Sequence, residues 1–164
     1  RARLGVVATL GNHDHWYAPE ALAAGLRRRG VIVLANQAVQ RGPLIIGGVD
    51  DDYSRHDDVP ATFAAMAGLG AGPRILLTHS PDIVPELPSR VGATLAGHTH
   101  CGQIALPFIG PITYVSRYGD RFGCGVIDDA HGPVVVGAGL GTSIMPLRFG
   151  VPPDAWLITL RGPA

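Results

Sequence analysis

Histidines at positions 13, 79, 98 and 100 stand in three short polar segments, each directly after an apolar run. The segments are Gly11-Asn12-His13-Asp14, Thr78-His79-Ser80-Pro81-Asp82 and Gly97-His98-Thr99-His100. Imidazole nitrogen together with amide or carboxylate oxygen suits borderline divalent ions such as Zn²⁺, Mn²⁺ or Fe²⁺. Imidazole also exchanges a proton near neutral pH. Either chemistry requires the rings to meet. Ligand sites in α/β sheets form beyond the carboxyl ends of the strands, so three histidine segments at strand ends are expected to converge at one sheet edge. His98 and His100 are two apart and would face opposite ways in a strand; in a loop they reach neighbouring ions. The glycines at 11 and 97 allow sharp turns beside the site. His15, His56 and His131 are read as ordinary histidines without a functional role.

The elements that must position these residues follow from hydrophobic pattern and punctuation. Residues 4–10 (LGVVATL) read as a buried strand stopping at Gly11. Residues 18–29 read as a helix, with Pro19 in the first turn, Leu22 and Leu26 four apart, and Gly30 after the end. Strands are expected at 31–34, 44–49, 74–77 and 94–96, a short helix at 61–67 after Pro60, and a helical turn at 82–87. The acidic stretch 50–58 reads as a loop. Beyond residue 100 helical periodicity disappears, and short strands are expected at 103–105, 123–128, 133–136 and 155–160. No repeat, low-complexity tract or linker divides the chain. The expectation is one domain, 1–164, of α/β class, with two mixed β-sheets packed together and helices outside.

Composition excludes several classes. With 164 residues, 46% of them hydrophobic, and a mean hydropathy of +0.23, the chain is long and apolar enough for a core. No apolar run approaches the roughly 18 residues of a membrane span, and no secretory signal is visible. Thirteen basic residues, all arginine, balance 13 acidic ones, which leaves no electrostatic footprint for nucleic acid. Arg27-Arg28-Arg29 ends a helix and complements its dipole. Cys101 and Cys124 form neither a Cys-X-X-Cys knuckle nor a disulfide framework, and Cys101 is read as structural rather than catalytic. No Gly-X-Ser-X-Gly elbow is present. Gly137-Ala138-Gly139-Leu140-Gly141 lacks the strand–helix context of a nucleotide loop.

In order and spacing, the segments around 11–14, His79 and 97–100 resemble the second half of the calcineurin-like metallophosphoesterase signature, Gly-Asn-His-Asp/Glu, then His, then Gly-His-X-His. Residues 97–104 (GHTHCGQI), the Val115-Ser116-Arg117 triplet and residues 139–149 (GLGTSIMPLRF) are similar to the bacterial branch that includes YkuE-like phosphoesterases and UDP-diacylglucosamine hydrolases. The resemblance implies a sandwich of two sheets and two divalent ions (Mn, Fe or Zn). Asn12, His79 and His98 would hold one ion and His100 the other, while His13, aided by Asp14, would protonate the leaving alkoxide or steady the phosphoryl oxygens. The family's earlier Asp-X-His and Gly-Asp elements have no match here, so the resemblance covers a C-terminal portion, with the first strands and three ligands expected upstream. The activity implied is hydrolysis of a phosphomonoester, phosphodiester or pyrophosphate by water. The alternative is a catalytically dead or mononuclear metal-binding remnant of the same fold, acting as a binding module. The substrate leaving group is expected to be lipid-linked or nucleotide-linked. The apolar stretch 106–115 reads as a buried connection or as a surface that meets a lipid or apolar leaving group, and a cytoplasmic or membrane-peripheral location is expected. Thr142, Ser143 and the arginines at 117, 121 and 148 are candidates for substrate contact.

Overall fold

The computed structural model describes residues 2–161. The first unit is β1 (Val6–Ala8), α1 (Asn12–Tyr17), α2 (Pro19–Arg28) and β2 (Val31–Val33). β1 and β2 pair in parallel, Val6 opposite Val31 and Ala8 opposite Val33. Pro19 opens α2, where its missing N–H costs nothing. Arg27 and Arg28 close it, and Gly30 turns the chain at φ +81°. Leu10, Ala23 and Val33 are buried between the helix and the strand pair.

The main sheet has six strands in the order β3 (Gln37–Arg41), β4 (Leu44–Gly48), β5 (Arg74–Leu77), β6 (Ala93–Ala96), β10 (Val134–Val136), β9 (Gly125–Ile127). The four inner strands are mutually parallel, and β3 and β9 run antiparallel at the edges. Parallel strands are buried on both faces and read as continuous apolar runs, which is how RILL and VVV appear in the sequence. Because they are parallel, their carboxyl ends share one edge. That edge emits Asp50-Asp51 after β4, Thr78-His79 after β5 and Gly97-His98 after β6.

Helix α3 (Val59–Gly68), capped by the Asp58 carboxylate accepting from Ala61 N at 2.8 Å, covers one face. Met66 lies directly over Gly47, where a Cβ would collide with its sulfur. Ile45, Leu76, Ile83 and Met66 are fully buried there. A second cluster unites Val84, Phe122, Val134 and Val136.

Several expectations are corrected. The run 4–10 forms only a three-residue strand, and Val6 is 50% exposed, because among the described residues β1 pairs with β2 alone. Instead of two large packed sheets there is one six-stranded sheet, the separate β1–β2 pair, and the small antiparallel pair β7 (Ala105–Leu106) and β8 (Gly110–Pro111). The strand expected at 103–105 is displaced by a 3₁₀ turn at His100–Gly102. Residues 155–160 are strand-like in composition but have no ladder partner among the described residues and form no regular structure. Cys101 and Cys124, expected to remain apart from any disulfide framework, are joined by a disulfide across 23 residues. No helix among the described residues is long and apolar enough to cross a membrane.

Candidate metal centre

The first histidine segment is the start of a helix rather than a loop. Gly11 is extended, and its N–H donates to Asp14 Oδ2 at 2.9 Å, closing the first turn of α1. The Asp14 carboxylate is thus spent on the helix start. It also stands where negative charge complements the helix N-terminus. This turn places Asn12, 3% exposed, in the interior. His79 leaves the end of β5 and lies against Gly11. A Cβ on Gly11 would sit 2.5 Å from His79 Nδ1, so only glycine admits the ring. His98 leaves β6 in the left-handed region at φ +64°. Thr99 holds that turn by donating its hydroxyl to Gly123 O at 2.8 Å, and the Cys101–Cys124 disulfide ties the same two segments together.

Three donor atoms meet. His79 Nε2 lies 2.9 Å from Asn12 Oδ1 and 3.0 Å from His98 Nδ1. Burial, then the charge of His98, lowers the His79 pKa to about 4, with Asp51 and Asp14 opposing. His98 is lowered chiefly by burial as well, as is His100, where Arg148 adds to the effect. Both His79 and His98 are therefore held neutral at neutral pH, the form in which imidazole binds metal.

His13 lies one residue beyond Asn12, its Nε2 3.1 Å from Ser143 Oγ. His100 lies across the same cleft, which Asn12, His79 and His98 also line and whose volume is about 80 Å³. All six singled-out residues thus come to one region, although Asp14 turns to its own backbone. His100 Nδ1 faces Arg148 Nη2 at 3.3 Å, and Arg148 otherwise donates to the carbonyls of Ala138, Gly139 and Gly141. Arg117 is engaged by Asp52, Asp82 and Glu86, and Arg121 by Asp129. The glycine run 137–141 follows β10 without a helix after it.

Two aromatic residues escaped the sequence reading. Trp16 stands three after His13 on α1, with ring centroids 4.8 Å apart, and Tyr53 lies 4.8 Å from the His98 ring. Both line the cleft. The signal was the i, i+3 spacing of His13 and Trp16, legible only once 12–17 is known to be helical. His15 and His56 are stacked at 4.0 Å, and His15 Nε2 is 2.8 Å from Asp50 Oδ1. His131 pairs with Asp129 at 3.0 Å.

The donor set suits a borderline divalent ion. One nitrogen carries at most one hydrogen, yet His79 Nε2 faces both an amide oxygen and a second imidazole nitrogen. A cation satisfies all three lone pairs at once, and Asn oxygen with two imidazoles matches Zn²⁺, Mn²⁺ or Fe²⁺ chemistry. Among the described residues no three His, Cys, Asp or Glu side chains form a metal-holding group. The third donor here is the Asn12 amide.

Histidines from adjacent parallel strand ends meet an amide from a helix start at one edge of an α/β sheet. The chain's relatives over nearly its whole length are metallophosphoesterases, which supports the calcineurin-like family. It is 31% identical to the uncharacterized metallophosphoesterase YkuE of Bacillus subtilis, over 98% of this chain and 57% of that protein. It is 33% identical to an uncharacterized metallophosphoesterase of Aquifex aeolicus, over 97% of this chain and 62% of that one. It is 28% identical to the phosphodiesterase YaeI of Escherichia coli, over 93% and 57%. The chain thus spans about three fifths of the length of these relatives. No family profile matches it, and no solved structure matches it.

Proposed function

We propose that this protein hydrolyses phosphate esters at a metal centre held by Asn12, His79 and His98. The observation that carries the reading is the meeting of their three donor atoms at 2.9 and 3.0 Å. Bound there, and at His100 for a second ion, divalent metal would polarise the phosphoryl group and acidify water. The chain's own residues do the rest. His13 stands beside the donors with its Nε2 directed to Ser143 and is placed to give a proton to a departing alkoxide. Asp14 supports it by fixing the helix start that carries both Asn12 and His13. Trp16 and Tyr53 wall the cleft and limit water.

An apolar cavity of about 330 Å³ adjoins this cleft and shares His100, Val115, Ser143 and Ile144 with it; Ile104, Ile112 and Met145 are among its other lining residues. That neighbour favours a substrate whose leaving group carries an apolar chain, in keeping with the apolar stretch 106–115. Co-sedimentation with liposomes containing a phospholipid checks the lipid contact: binding above background is expected, and its absence ends that idea.

The test of the main reading is Zn²⁺ content and hydrolysis of bis(p-nitrophenyl) phosphate. Asn12→Ala and His79→Ala should lose the ion. His13→Ala should keep it and lower turnover by about 10²–10⁴-fold; loss of metal in that variant would refute the role of His13. One observation favours the mononuclear alternative. The Arg148 guanidinium already faces His100 Nδ1 at 3.3 Å, so a cation stands beside the one residue left for a second ion. One tightly held ion per chain without hydrolysis would select that reading.

A further inference from the structure

Among the described residues the one hydrogen-bond partner of the His13 side chain is Ser143 Oγ, 3.1 Å from Nε2. Ser143 belongs to a segment without regular secondary structure, so no ladder fixes its hydroxyl. Met145 N donates to Ser143 O at 2.6 Å, closing a three-residue turn around Ile144 at φ +60°. Turns of this hand are rare, and a β-branched residue seldom takes a positive φ. Packing of Ile144 does not hold the turn, because the residue is 94% exposed.

The side chain of Gln103 holds it instead. Its Oε1 accepts from Ser143 N at 2.6 Å, and its Nε2 donates to Ser143 O at 3.0 Å and to Met145 O at 3.1 Å. An amide is the group that fits, since one end must accept and the other donate twice. Glutamate would offer acceptors alone, and asparagine is one methylene shorter. The Gln103 backbone is fixed in turn: its N–H donates to His100 O at 3.0 Å, and its carbonyl accepts from Phe149 N at 3.1 Å. Ser143 lines both the metal cleft and the apolar cavity, whereas Gln103 lines the cavity and not the cleft. Gln103 therefore reaches the cleft through Ser143.

We propose that Gln103 is a positioning residue whose amide clamps the Ser143–Met145 turn, so that the Ser143 hydroxyl meets His13 Nε2 and fixes the imidazole at the rim of the metal cleft. A reacting group works only in its productive geometry, and a misplacement of about 1 Å can cost about 10²-fold in rate. The inference rests on the catalytic reading of His13, and its structural half is tested without metal or substrate. In nuclear Overhauser spectra recorded before any metal is added, the His13 ring protons should show cross-peaks to the Ser143 β protons. Gln103→Met keeps the length, removes all three side-chain bonds and should lose those cross-peaks. With Zn²⁺ loaded and bis(p-nitrophenyl) phosphate as substrate, Gln103→Met should lower kcat by about 10–100-fold, with KM and Zn²⁺ content near wild type. Ser143→Ala should lower kcat to a similar extent. The double variant should be no worse than Ser143→Ala, because residues acting through one another are not additive.

Absence of the cross-peaks from the wild type, or their persistence in Gln103→Met, would overturn the proposal. So would an unchanged kcat, or losses that add in the double variant, which would place the effect of Gln103 outside Ser143. A fall in Zn²⁺ content in Gln103→Met would also overturn it, by assigning the residue to the turn that carries His98 and His100. If Gln103→Met does not fold, Gln103→Glu decides: it sets a carboxylate oxygen against two carbonyls, so the same cross-peaks should weaken, and their full retention would overturn the inference. A wild type that hydrolyses nothing, yet shows cross-peaks that Gln103→Met removes, would sink the phosphoesterase reading and leave the clamp in place.

Discussion

His79 and Gly11 form one unit at the level of single residues. The ring rests on a backbone that carries no Cβ, and a methyl there would lie 2.5 Å from Nδ1. Gly11→Ala should therefore displace the His79 ring and cut Zn²⁺ affinity at least tenfold, by analogy with disturbed ligand orientation; calorimetry checks it, with circular dichroism showing the fold retained. The depressed pKa of His79, about 4, sets a pH window. Between about pH 6.5 and 4 an unfolded histidine binds a proton that the folded one refuses, so stability rises with pH across that interval and is lost as pH falls through it. Urea unfolding at pH 7 and pH 4.5 should differ by on the order of 2–3 kcal/mol, with His79→Gln abolishing most of the difference. A pH-independent midpoint would contradict the burial of His79. These residues were legible in sequence because histidines after apolar runs carry a local signal. Trp16 and Tyr53 were not, since an aromatic residue beside a polar segment looks the same whether it walls a cleft or lies on a surface.

The apolar parallel strands could be read at the level of elements because burial on both faces leaves a continuous signature; residues 74–77 appear where RILL predicts them. Edge strand β3 could not. Gln37–Arg41 (QAVQR) is too polar to stand out, and it becomes a strand only through pairing with β4. α1 was hidden for a related reason. Six residues, NHDHWY, have no apolar period, and the helix exists because Asp14 caps Gly11 and His13 and Trp16 line the cleft. The disulfide is a further element-level constraint, since it binds the turn bearing His98 and His100 to the segment before β9. Closing a loop of this sequence separation restricts the unfolded chain and stabilises by about 3 kcal/mol. The Cys101→Ser and Cys124→Ser double variant should lose about that much in urea denaturation and broaden the His100 signals more than those of His79, which is anchored by Gly11. Equal stability of the bridged and unbridged proteins would mean that the turn is held by Thr99 alone.

For the molecule as a whole, the expected and observed structures part along one surface. β1 has the composition of a buried strand, yet Leu4 is 43% and Val6 50% exposed. Residues 155–160 have the composition of a strand and pair with no strand among the described residues, leaving Trp156 46% and Leu157 97% exposed. Both patterns are suited to burial that the described residues do not provide, and the chain spans about three fifths of the length of its relatives. Sequence pattern reports what a segment is suited to, whereas structure reports which partners are at hand. Apolar strands with free backbone groups are templates for association. Residues 1–164 by themselves should therefore self-associate, with weight-average mass rising along a dilution series in sedimentation equilibrium. Val6→Lys with Leu157→Lys should return the monomer. It should do so without moving the Zn²⁺ affinity, because neither residue lines the cleft. A wild-type chain that stays monomeric at every concentration would show that these strands are covered in solution by contacts within the chain. A charged variant that loses Zn²⁺ affinity would show that the exposed strands support the site itself.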